Sequence, residues 1–119
     1  GGATPRGGVR KALISEGQLG SYLDRLRGCN KATDRTQVLH EAVAMFSFTC
    51  EQSLLLLRSL RYQHEVVSGC KLLAKHVTDP HNMHRLLQAV EGSLDRGIVA
   101  EHFFKLQREH TERVRQSQA

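Results

Sequence analysis

Seven histidines and three cysteines are the residues of this chain best suited to bind a metal or attack a substrate. His81 and His84 stand three apart just after Pro80, so a helix starting there puts both on one face. With His76 and Asp79 close by, they make a partial zinc set. The phrase His81-Asn82-Met83-His84 lacks the HExxH spacing, and the Asp79-Pro80 break separates His76 from the other two. No metal ligand set is therefore expected. Cys29, Cys50 and Cys70 lie about twenty residues apart with no CxxC pair. An odd number of cysteines cannot pair completely within one chain. Cys50 and Cys70 fall in apolar helical patterns, where a free thiol behaves as a small hydrophobe. Reduced structural thiols, and hence an intracellular setting (cytoplasmic or nuclear), are expected.

Catalytic patterns are missing. No GxSxG, P-loop or GxGxxG occurs, and Glu109 and Glu112 sit on a polar tail where both are solvated. Folding could bring Cys70 to His76 or His102, but any chain with so many of both types permits such a pair. The expectation is a protein that is not an enzyme, with no catalytic residue and no cofactor.

Charge is the positive signal. Seventeen Lys+Arg face twelve Asp+Glu, a net charge of +5. Residues 1–35 hold seven basic residues against three acidic ones; the remainder holds ten against nine. The candidate contacts for an anion or an acidic partner are Arg6, Arg10, Lys11, Arg25, Arg27, Lys31 and Arg35. Nucleic-acid sites usually interleave such residues with aromatics. Only Tyr22 is aromatic here, and its spacing from Leu19 and Leu26 suits a core.

The elements that must position these residues read as helix throughout. No stretch alternates apolar and polar residues over six positions. Leu13, Leu19, Leu23 and Leu26 follow a helical stripe, Ser15 to Gln18 has capping-box form, and Gly28 and Asn30 stop the helix in a left-handed turn. Thr33 or Asp34 caps the next helix. Thr49 to Gln52 is a second capping box, which either opens a new helix or lies within a continuous one spanning 34–77. Leu54 to Leu57 cover every side of a helix, so this segment needs shelter on more than one face. Ser68-Gly69 weakens the pattern, with a kink expected. Thr78-Asp79-Pro80 ends one helix and starts another, whose stripe is Met83, Leu86, Leu87 and Val90. Gly92-Ser93 opens the last helix, and its polar end beyond Gln107 is expected to fray.

Short connections near 28–33, 78–80 and 92–93 favour antiparallel neighbours. The expected fold is all-α: a four-helix up-and-down bundle, whole or with one helix broken into two. Residues 1–8 read as a flexible lead-in or linker and residues 9–116 as one helical domain. The longest apolar run is four residues, far below the ~20 needed to span a bilayer. No transmembrane segment and no signal peptide are expected.

Three phrases carry a family likeness. Phe48-Thr49-Cys50-Glu51-Gln52 has the form FTxxQ, Val77 to Asn82 the form VxDPxN, and Ser93-Leu94-Asp95-Arg96 the form SxxR. With these, residues 46–103 resemble an uncharacterised helical domain family of bacterial and animal proteins. The whole chain also looks like the helical-bundle modules of uncharacterised mammalian proteins. The likeness implies a helical fold and, since the family has no assigned activity, adds nothing about function. The function expected is a non-enzymatic adaptor or scaffold module of a larger protein, binding another protein through an acidic or amphipathic segment. The alternative is a basic module that binds nucleic acid or anionic lipid through residues 6–35.

Overall fold

The computed structural model describes residues 11–118; the lead-in expected over 1–8, and with it Arg6 and Arg10, lies outside the described residues. A two-residue strand, β1 (Ala12–Leu13), precedes α1 (Glu16–Gly28) and α2 (Ala32–Met45). The strand β2 (Phe46–Ser47) leads into α3 (Cys50–Leu57) and α4 (Gln63–Ala74). A 3-10 helix (Pro80–Ala89) and α5 (Ser93–Gln118) complete the chain. Helices occupy 77% of the described residues, so the fold is predominantly α.

Both capping boxes are present. Ser15 accepts from the Gln18 N–H while the Gln18 side chain accepts from Ser15 N–H, and Thr49 and Gln52 do the same at the start of α3. The second box is a true helix start, so 34–77 holds three helices rather than one or two. Phe46 to Phe48 interrupts the first pair. The second break, at 58–62, has no Pro or Gly; α3 tightens into i→i−3 bonds, with Ser59 N–H to Leu56 O and Leu60 N–H to Leu57 O. α2 is capped by Lys31 without a side-chain bond, not by Thr33 or Asp34. α1 ends in extended backbone at Cys29, and only Gly92, with φ 84°, takes a left-handed conformation among the described residues. α4 runs unbroken through Gly69. A Cβ there would sit 2.9 Å from Leu57 Cδ2 and 3.2 Å from Leu60 Cδ1, so glycine serves close packing against α3.

The expected four-helix up-and-down bundle is not formed. α3 rises about 12 Å and α5 about 39 Å at 1.5 Å per residue, so the short helices cannot run alongside the long one. Instead α3 packs on the 3-10 helix, α1 packs on α2 and α3, and α4 touches α2, α3, α5 and the 3-10 helix. In the 3-10 helix, side chains three apart eclipse one another, and Met83 and Leu86 form its buried ridge. Leu56 and Leu57 are fully buried and Leu54 nearly so, while Leu55 is 44% exposed. The four-leucine run is thus sheltered on all sides but one.

Three extended segments knit the helices together. β1 pairs in parallel with β2, Ala12 opposite Phe46, and the ladder extends through Ile14 N–H to Ser47 O at 3.0 Å. On the other side of β2, Phe48 bridges to Val77, donating to His76 O at 3.0 Å and accepting from Thr78 N–H at 2.8 Å. Phe48 is fully buried between them.

Candidate functional site

The ladder brings Lys11 beside His76, 65 positions apart in the chain. Lys11 Nζ donates to Val43 O and lies 2.9 Å from His76 Nδ1, and Ser47 Oγ donates to Lys11 O at 3.2 Å. An ammonium has donors only, so His76 Nδ1 accepts and its proton resides on Nε2. Burial, then the charges of Lys11 and Lys75, hold the His76 pKa below the ordinary value, which keeps the ring neutral and fit to accept.

These residues edge a groove of about 910 Å³ between the 74–83 segment and the outer half of α5. Val77, Met83 and Leu106 supply apolar wall; Lys75 and Arg113 add positive charge and Glu109 one negative charge. Gln107 Nε2 donates to Pro80 O at 2.8 Å and so fixes α5 against the start of the 3-10 helix. α5 does not fray in this structure but stays helical to Gln118, and Arg113 on it lines the groove.

The basic residues expected from sequence do not line one surface. Lys11 is in this groove. Arg27 lines a separate concavity with Arg58 and Arg61, and is 3.4 Å from Asp24. Arg25 pairs with Glu41 and lies over the Tyr22 ring at 5.6 Å, and Lys31 is exposed. Arg35 is corrected outright: it is fully buried and cannot meet a partner. Its Nε and Nη2 reach Glu65 at 2.7 and 2.8 Å, and its Nη1 donates to Cys29 O at 2.9 Å. The bond to Glu65 raises the Arg35 pKa against burial, and the bond to Arg35 lowers that of Glu65.

Asp79 also serves structure. Its Oδ1 accepts from Cys50 N–H at 2.8 Å and its Oδ2 from Asn82 Nδ2 at 3.0 Å. Burial alone would raise its pKa; these bonds prevail and hold it below the usual range. The FTxxQ and VxDPxN phrases therefore meet at the start of α3, and the SxxR arginine, Arg96, donates to Val90 O at 2.8 Å. With His76 bonded to Lys11 and Asp79 to Cys50, no three His, Cys, Asp or Glu side chains converge on a metal position among the described residues. Burial pushes the thiols of Cys50 and Cys70 up to about 12, which leaves them protonated and unreactive.

Sequence reasoning missed Lys75, Arg113, Arg58 and Arg61, which fall where charge is nearly balanced along the chain. Among the described residues no helix is long and apolar enough to cross a membrane.

Comparison with known proteins adds one finding. No curated protein and no solved structure matches this chain. A family model described as Domain of unknown function (DUF4476) matches residues 13–97, from β1 into the first turns of α5. The phrases FTxxQ, VxDPxN and SxxR all lie inside that span, and the chain belongs to this family of uncharacterised domains.

Proposed function

We propose that the domain is a non-enzymatic protein-interaction module that takes an acidic, amphipathic helical segment of another protein into the groove beside α5. The observation that carries this reading is the groove itself. Its apolar wall of Val77, Met83 and Leu106 suits the apolar face of a helix. Lys11, Lys75 and Arg113 outnumber Glu109 around it, so carboxylates flanking that face complement its charge. Three free cysteines, two of them buried and protonated, support an intracellular setting. The alternative, binding of nucleic acid or anionic lipid through residues 6–35, draws less support, because Arg35 is buried and Lys11 and Arg27 line different concavities.

The test is an amide NMR titration with a synthetic amphipathic peptide carrying leucines at helical spacing and flanking glutamates. Shifts should gather at Lys75 to Val77, Met83, Leu106 and Arg113. They should be lost in the Lys75→Glu, Arg113→Glu double variant. A silent peptide, with heparin or phosphatidylserine vesicles shifting amides within residues 6–35 instead, would replace this reading with the alternative.

A further inference from the structure

We infer that the concavity between the end of α1 and the α3–α4 turn is a second binding site, for a phosphorylated serine or threonine on a peptide. Arg27, Arg58 and Arg61 converge on a space of about 400 Å³ whose other walls include Leu23, Leu55 and Leu60. No Asp or Glu lines it. Arg58 and Arg61 are exposed, and among the described residues neither has a salt bridge. Arg27 has only Asp24 at 3.4 Å on the exposed surface, a pairing that contributes little. The nearby carboxylate of Glu65 is consumed by Arg35.

Helix ends explain why arginines stand here. Arg27 is in the last turn of α1 and Arg58 caps α3, where cations offset the negative ends of the helix dipoles. Each such end is equivalent to about half a charge, so two ends offset roughly one of three guanidinium charges. The surplus is available to an anion from outside the domain. The cations are all arginine, whose planar fork matches a phosphate oxygen pair better than an ammonium does. A phosphate takes up about two charges at neutral pH, which matches the surplus. Leu23, half-exposed Leu55 and Leu60 give apolar purchase to the residues beside the phosphate, and so favour a peptide over free phosphate.

The full chain should be titrated by calorimetry and amide NMR with a short phosphoserine peptide flanked by leucines. Controls are the same peptide with serine, the same peptide with aspartate, inorganic phosphate, and phosphatidylserine vesicles. We expect shifts at Arg27 and at 55–61, and binding about tenfold weaker in Arg58→Ala and in Arg61→Ala. Arg58→Lys should fall between the two, since it keeps charge and loses the fork. Both side chains are exposed, so far-UV spectra should match the parent. Equal binding of the serine or aspartate peptide, free phosphate as tight as the peptide, or vesicles binding while the peptide stays silent would each overturn the site. So would unchanged affinity in both alanine variants. The Lys75→Glu, Arg113→Glu variant should bind the phosphopeptide normally, which separates this site from the groove beside α5.

Discussion

Arg35 and Lys11 are both basic side chains drawn in from solvent to reach another part of the chain, yet they meet opposite environments. Arg35 meets Glu65: it donates a bidentate pair of bonds to the carboxylate, and its third nitrogen, Nη1, donates to Cys29 O. Tyr62 N–H donates to Glu65 Oε1 at 3.1 Å, and the Tyr62 ring lies 5.8 Å from the Arg35 guanidinium. The charge is closed within the protein, and the result locks α2 to α4. Lys11 meets a backbone carbonyl and a second base, His76. Nothing there neutralises the ammonium, and Lys75 and Arg113 add to the excess. A buried charge that finds its opposite becomes scaffold. A part-buried one that meets another base keeps its charge open to the groove, where an acidic partner of the kind proposed could meet it.

The largest expected effect comes from opening the closed pair. Glu65→Ala leaves Arg35 buried without a counter-charge and should destabilise the domain by about 3–5 kcal/mol in a urea titration. For a domain whose whole stability is of order 5–15 kcal/mol, that approaches unfolding. The double variant Arg35→Met, Glu65→Leu removes both charges together and should regain most of that loss. If Glu65→Ala cost under about 1 kcal/mol, the pair would not be the lock between α2 and α4.

The second effect is smaller and separates the two regions by pH. His76 and His102 have folded-state pKa values below the ordinary 6.5. Burial is the main cause for both, with Lys11 and Lys75 adding to it at His76, and Lys71, Lys75 and Lys105 at His102. The unfolded chain then binds more protons than the folded one just below pH 6.5, so stability falls as pH drops through that window. Glu65 is depressed below 4.5, so its contribution is intact across the histidine window and is lost only at lower pH. Thermal midpoints should therefore decline in two separate steps on acidification. His76→Gln should reduce the upper step, leave a remainder from His102, and not move the lower one. A single decline confined below pH 4.5 would mean that the Lys11–His76 contact holds no preference for the neutral ring.

What could be read in advance follows from range. Ser15 to Gln18 and Thr49 to Gln52 announce helix starts because capping chemistry is settled within four residues. The leucines at 54–57 announce a sheltered segment for the same local reason. The three extended pieces around Phe48 are too short for any alternation to show, and each exists only because the other two are beside it. The 3-10 helix differs from an α-helix by 0.6 residues per turn, too little to separate over ten residues with apolar positions at 83, 86, 87 and 90. The bundle expectation failed there, since it took every apolar stripe to be a full-length helix. The basic stretch 6–35 was visible, but whether each charge is closed or open was not. Arg35 depends on Glu65, 30 residues on, and Lys11 on His76. Neither partner leaves a mark near the residue it decides.

The smallest expected effect on stability concerns the outer end of α5. Residues 108–118 are all exposed, and eleven residues alone would be marginal as a helix. They are helical because the packed part of α5, anchored by buried Val99 and Phe103, has already formed the nucleus they extend. Ending the chain after Arg108 removes no buried side chain and keeps the Gln107 bond to Pro80. Stability should change by no more than about 0.5 kcal/mol, a shift of only a few degrees in midpoint. The groove, in contrast, loses Glu109, His110 and Arg113 together, and the acidic peptide should bind far more weakly. That pairing of unchanged folding with lost binding is the mark of a surface kept for a partner. A truncated chain that melted well below the parent would instead show the outer half of α5 to be part of the scaffold, on the side of Arg35 rather than of Lys11.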